Sequence, residues 1–136
     1  MTAPIARALL DTSALIDLLQ GKALSAIVSD AAVSAVSLGE LHYGVAVTDD
    51  PVVALQRRKR IEALRASFDV LPFDAEAAEQ YGLLSNLVYR AGRDPRPRRM
   101  DLQIAATAMR FELPLVTRNA KDLRHLERVL VIINVS

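Results

Sequence analysis

The stretch Ala8-Leu9-Leu10-Asp11-Thr12-Ser13-Ala14-Leu15-Ile16-Asp17-Leu18-Leu19 changes character midway. Its opening residues are uniformly apolar and end on an acid, which reads as a short buried strand. Thr12 and Ser13 then offer N-cap hydroxyls, and a helix continues through Leu19 until Gly21 stops it. A strand apolar on both faces belongs inside a parallel sheet covered by helices.

The same alternation runs outward along the chain. A short helix is expected over Ala23–Ser29, a strand over Ala32–Val36, and a helix opened by Ser37 that passes Leu41 and Val45. Pro51 suits the first turn of a helix reaching about Ser67. Asp69–Phe73 reads as a strand, and Pro72 marks it as an edge. Asp74 caps a helix with Ala77, Tyr81, Leu84, Leu87 and Val88 at helical spacing, ending before Gly92. The loop Asp94–Arg99 carries Pro95 and Pro97, and a helix from Met100 to Phe111 follows. Leu115–Thr117 is a strand, Ala120–Leu126 a short helix and Val129–Val135 the last strand. No repeat or linker interrupts the pattern. The expectation is one α/β domain spanning residues 1–136.

Composition narrows the chemistry. The 136 residues are 51% hydrophobic and only 4% aromatic, so the core is aliphatic. With no cysteine, disulfides, thiolate catalysis and Cys-ligated metals are excluded. No apolar run is long enough for a bilayer and no signal-peptide pattern is present, so a cytoplasmic protein without membrane contact is expected. The net charge of +1 indicates no anionic partner by itself. Its distribution says more. Arg57-Arg58-Lys59-Arg60 suits a solvated helix face, whereas Arg98 and Arg99 stand just before Asp101, where phosphate contact fits.

The acids fall at informative places. Asp11 ends the first strand, Glu40 lies a helical turn beyond the second, Asp101 opens the helix before the fourth, and Asp122 lies just past the fourth with Asn119 nearby. Strand carboxyl ends share one edge of an open parallel sheet, and ligands bind there. Carboxylates gathered at such an edge repel one another unless a cation neutralises them. All-oxygen ligands favour Mg²⁺ or Mn²⁺ over zinc. Each acid also has a structural alternative. Asp11 suits a helix N-cap, and Ser37-Leu38-Gly39-Glu40 fits a capping box as readily as a ligand position. Asp101 suits the helix dipole, and Asp122 suits a cap of its short helix. His42 and His125 are not required, and His125 is expected on the surface.

At these residues the sequence resembles the PIN-domain family, in particular its VapC-type toxins. Leu10-Asp11-Thr12-Ser13-Ala14-Leu15-Ile16 is similar to the family's first motif. Ser37-Leu38-Gly39-Glu40-Leu41-His42-Tyr43-Gly44 resembles a second, with one residue fewer before the acid. Asp101-Leu102-Gln103-Ile104-Ala105-Ala106-Thr107-Ala108 and Thr117-Arg118-Asn119-Ala120-Lys121-Asp122-Leu123 are similar to the third and fourth. The motifs occur in family order. The resemblance implies a three-layer α/β/α sandwich on a five-stranded parallel sheet in order 3-2-1-4-5. It implies an endoribonuclease that uses Mg²⁺ or Mn²⁺, the toxic member of a toxin–antitoxin pair. Asp11, Glu40 and Asp101 would be the core acids, with Asp122 or Asn119 as the fourth site residue. Thr12, Ser13, Ser37 and Thr117 would orient carboxylates or water, and Arg98 and Arg99 would meet RNA. A homodimer and a VapB-type antitoxin over the cleft are further implications. Apolar residues around Leu41, Val45, Leu55 and Leu64 suit such interfaces and suit core packing equally.

Other readings fit less well. A haloacid-dehalogenase-like phosphatase would want an acid where Ser13 stands, and a receiver domain would want paired acids at the first strand. A PIN-like RNA- or protein-binding module gains nothing from concentrated negative charge. A structure-specific DNA nuclease would use the same metal chemistry.

Overall fold

The computed structural model describes residues 6–21 and 30–135. The helix expected over Ala23–Ser29 lies outside the described residues. Five strands, β1 (Ala8–Leu10), β2 (Ala31–Ser34), β3 (Asp69–Leu71), β4 (Leu115–Thr117) and β5 (Ile132–Asn134), form one sheet in the order β3-β2-β1-β4-β5. Every pairing is parallel, with Leu9 opposite Ala32 on one side and Leu115 on the other. Both the topology and the edge position of β3 match expectation.

Helices α1 (Thr12–Leu19), α2 (Ala35–Ala46), α3 (Pro51–Ser67), α4 (Ala75–Arg90) and α5 (Arg99–Arg110) connect the strands. Short 3₁₀ turns cover Arg96–Arg98 and Ala120–Leu126. Asp50 and Asp74 cap α3 and α4 by accepting from backbone N–H groups of the first turn. Gly21, at φ +87°, takes the left-handed conformation that ends α1.

The pleat of β1 divides the core between two layers. Leu9 packs with Leu84, Val88, Leu102, Ala105 and Leu115 beneath α4 and α5. Ala8 and Leu10 turn to the opposite face, against Ala14, Leu15, Leu64 and Val116. All three β1 residues are fully buried, so the central strand is fixed from both sides. Leu64 thus belongs to the core, whereas Leu55 stands 48% exposed on α3.

One boundary differs from expectation in a way that bears on the site. The second strand ends at Ser34 rather than Val36, and α2 begins at Ala35 rather than Ser37. Ser34 is the N-cap, its Oγ accepting from the Val36 N–H at 3.0 Å. Ser37 therefore lies inside the first turn of α2, and Glu40 follows in the next. Among the described residues, no helix is long and apolar enough to cross a membrane.

Candidate active site at the carboxyl edge of the sheet

Asp11 leaves the sheet directly from β1. Its backbone N–H donates to the Val116 carbonyl at 2.9 Å, which extends the β1–β4 ladder by one step. Its side chain caps α1: Oδ1 accepts from the Ala14 N–H at 2.9 Å and from the Ser13 hydroxyl at 2.7 Å. The capping role is real, and it leaves Oδ2 without a hydrogen bond among the described residues. Ser13 Oγ in turn accepts from the Arg118 backbone N–H at 3.2 Å, so the loop after β4 helps aim the Asp11 carboxylate.

Glu40 reaches the same edge from α2. Thr12 Oγ1 donates to Glu40 Oε1 at 2.8 Å and lies 3.0 Å from Ser37 Oγ. The capping box allowed by the Ser37–Glu40 spacing is not formed. Ser34 has already capped the helix, so Ser37 and Glu40 are free to meet Thr12 on the neighbouring helix. Ser37 is fully buried beneath this clasp.

Asp101, in the first turn of α5, completes the grouping from the other side of β1. Burial pushes its carboxyl above the usual carboxylate range, and the negative charge of Asp11 pushes in the same direction. Arg98 opposes the shift, and Asp122 adds to it. The residue is open to solvent on one side and crowded by protein on the other. Asp122 is held near Arg98, whose Nη1 lies 3.6 Å from Asp122 Oδ2. Asn119 donates its backbone N–H to the buried Thr117 hydroxyl at 3.1 Å, and its side chain is solvent-facing. Between the two candidates for the fourth position, it is Asp122 whose charge reaches Asp101.

The two arginines before Asp101 part company. Arg98 turns to the acids, while Arg99 Nη1 donates back to the Arg96 carbonyl at 3.3 Å. His125, expected on the surface, is partly buried. Burial and the positive charges of Arg93 and Arg98 lower its pKa. Sequence reasoning passed over Asp17, which is 4% exposed and pairs with Arg118 Nη1 at 3.1 Å. The signal was available: Asp17 stands three residues after the buried Ala14, on the face of α1 that turns to the sheet. This ion pair ties α1 to the β4 loop directly behind Asp11.

Among the described residues, no three His, Cys, Asp or Glu side chains converge tightly enough to chelate an ion unaided. The acids instead stand apart along one edge, where Asp101 feels the charge of Asp11 and of Asp122. An all-oxygen set of that openness fits a hard cation that keeps several waters and takes further ligands from a phosphate. Zinc, with its close nitrogen or sulfur cage, fits poorly. A cleft of about 400 Å³ opens from Thr12 and Glu40 between α1, α2 and α3. Its floor is apolar, with Ile16, Leu19, Leu41 and Ile61, and Arg57 and Arg60 line it as well.

Residues 8–129 match the PIN domain. The chain is 30% identical over 127 residues to a protein named Ribonuclease VapC from Rickettsia bellii, covering 91% of this chain and 93% of that one. Its structure superposes on that of VapBC-5, a member of the VapBC family of toxin–antitoxin systems from Mycobacterium tuberculosis, with a TM-score of 0.78. Identity there is 31%, over 96% of this chain and 99% of the other. A DNA-bound VapBC from Salmonella typhimurium gives a TM-score of 0.73 at 27% identity, over 96% and 98% of the two chains. The sheet order, the acids at its carboxyl edge and these likenesses agree: the chain belongs to the PIN-domain family, in its VapC-type branch.

Proposed function

We propose that the chain is a divalent-metal-dependent endoribonuclease and the toxic member of a toxin–antitoxin pair. The observation that carries the reading is the gathering of Asp11, Asp101 and Asp122 at one sheet edge, where burial and the charges of Asp11 and Asp122 raise the Asp101 carboxyl above its usual range, an arrangement suited to holding a cation. The likeness to a ribonuclease and to VapBC structures supports it.

Asp11, Asp101, Glu40 and Asp122 are the residues that would hold Mg²⁺ or Mn²⁺. The bound ion would supply an activated water at neutral pH and offset charge on the phosphodiester. The chain's own contribution is positional. Ser13 and the Ala14 N–H fix one oxygen of Asp11 and leave the other to a ligand. Thr12 does the same for Glu40, steadied by Ser37. Thr117 and Asn119 shape the turn that carries Asp122. Arg98, between Asp122 and Asp101, is placed to receive a phosphate oxygen once metal has neutralised the acids. Arg99 contributes through the rim of the loop.

The cleft that opens at Glu40 supports a VapB-type antitoxin segment lying over the site, apolar side chains on its floor. Self-association would use exposed apolar residues such as Leu55. A single PIN domain acting in the cytoplasm is the setting this implies. The test is direct: antitoxin-free protein is incubated with RNA and Mg²⁺ or Mn²⁺, with EDTA as control. Cleavage dependent on the ion is expected, and full-rate cleavage in EDTA overturns the metal reading.

A further inference from the structure

Beside the acidic edge lies a second cleft, of about 410 Å³, lined by Leu87, Arg90, Ala91, Arg124, His125, Glu127 and Arg128. It sits where the C-terminal end of α4 meets the 3₁₀ turn Ala120–Leu126. Among the described residues, none of Arg90, Arg93, Arg124 or Arg128 belongs to an ion pair. All four are exposed, and Glu127 is the one acid on the lining. Cationic side chains left unpaired around one concavity repel one another unless an anion joins them.

The cleft adjoins the site already described through the 3₁₀ turn that carries both Asp122 and His125. A 3₁₀ turn has three residues per turn, so Asp122 and His125 stack on one face, about 6 Å apart. Arg98 touches both neighbourhoods: it pairs with Asp122 and its charge is felt at His125, as is that of Arg93. Past Arg93, Tyr89 stands 72% exposed on the same end of α4, over a shallow surface formed with Gly92 and Pro95. An exposed aromatic ring beside unpaired arginines is the arrangement that receives an unstacked base and its backbone.

We propose that a single-stranded RNA leaving the acidic edge runs across the end of α4, with a phosphate in the Arg90–Arg124–Arg128 cleft and a base on Tyr89. This rests on the ribonuclease reading and extends it. The site grips its substrate beyond the scissile bond, and on an unpaired strand. Arg98 is the link, passing the backbone from the metal-holding acids to the cleft.

The test has separable arms. In the first, Asp101→Asn protein binds a single-stranded oligoribonucleotide long enough to span both regions, at several salt concentrations. Arg90→Ala with Arg124→Ala should remove the one phosphate contact of the cleft and reduce the log–log salt slope by about 0.7, the increment per phosphate on a single strand. Tyr89→Ala should weaken binding with the slope unchanged, because stacking releases no counterions. Both arginines are exposed, so folding is not at stake, and melting curves check it. In the second arm, the wild-type gain in kcat/KM from a dinucleotide to the long strand should collapse in the arginine variant. An unaltered salt slope together with an unaltered length gain overturns the subsite while leaving the ribonuclease reading intact. Absence of any cleavage by wild type with metal sinks the ribonuclease reading instead, and the binding arm still judges the cleft.

Discussion

Replacing Thr12 with Val removes one hydroxyl and almost no volume, and that hydroxyl is the clasp between α1 and α2. Its bond to Glu40 Oε1, at 2.8 Å, is charge-assisted. Such bonds contribute about 1.5–3 kcal/mol net, and partial exposure points to the lower end. The fully buried Ser37 hydroxyl loses its 3.0 Å partner as well. Ser37 sits within α2 and recovers part of that loss by turning to a carbonyl of the preceding turn, leaving roughly 0.5–1 kcal/mol. The sum is about 2 kcal/mol, or roughly 6–8 °C in melting temperature for a domain of this size. Urea and thermal unfolding of metal-free protein would read it. Thr12→Ser keeps the hydroxyl and should lose much less. Cleavage by Thr12→Val should fall about 10–100-fold, the range for outer ligand-orienting groups. A stability loss below about 0.5 kcal/mol would refute the clasp, as would equal losses for Val and Ser.

The remaining expectations follow from the same geometry. Glu40→Gln keeps an acceptor for Thr12 and loses a charge, so it should melt near wild type in the absence of metal and cleave RNA very poorly; normal cleavage would make Glu40 structural. Asp101→Asn should abolish both cleavage and growth arrest on expression in a bacterium, and toxicity that survives it would remove catalysis from the explanation. Because Asp101 is raised above the ordinary carboxylate pKa, the folded wild type binds more protons than the unfolded chain in the window above 3.8. Metal-free wild type should therefore lose stability as pH rises through that window, and Asp101→Asn should lose less; identical pH profiles would contradict the crowding of acids. Asp74 is shifted the opposite way, held down by the Ala77 N–H and by Arg110. Its contribution is present above pH 3.8 and fades as pH falls through the lowered value, so melting of Asp74→Ala and wild type should converge in acid.

The parallel sheet was legible because β1, β2 and β4 are apolar on both faces and each helix has a visible start or stop, while its strand order came with the family resemblance. Pro51, Asp74 and Gly21 mark their boundaries by local chemistry alone. The start of α2 was misread for a local reason too. Val36 is β-branched and prolongs a strand on propensity, whereas the Ser34 hydroxyl captures the Val36 N–H and begins the helix two residues sooner. Glu40 could not be resolved from spacing because its deciding partner, Thr12, is on another helix, 28 residues away in sequence. Arg98 and Arg99 are equivalent in sequence and differ only in which way the 3₁₀ turn faces them. His125 looked exposed because Lys121, Asp122, Arg124 and Glu127 crowd its stretch of sequence, and the end of α4 that packs near it is remote in the chain.

The way Asp11 and Glu40 are mounted sets where this chain can change length. One residue added between Ala8 and Asp11 would slide the carboxylate by about 3.3 Å and exchange the faces of Leu9 and Leu10, sending each into the wrong layer. One residue added between Ser34 and Glu40 would rotate the second carboxylate by about 100° around α2 and take it away from Thr12. The connection at Thr48-Asp49, between α2 and α3, carries neither constraint, and doubling a loop costs only about 0.6 kcal/mol. Insertions and deletions in this chain should therefore be tolerated in the outer connections, such as Thr48-Asp49, and not between Ala8 and Asp11 or between Ser34 and Glu40.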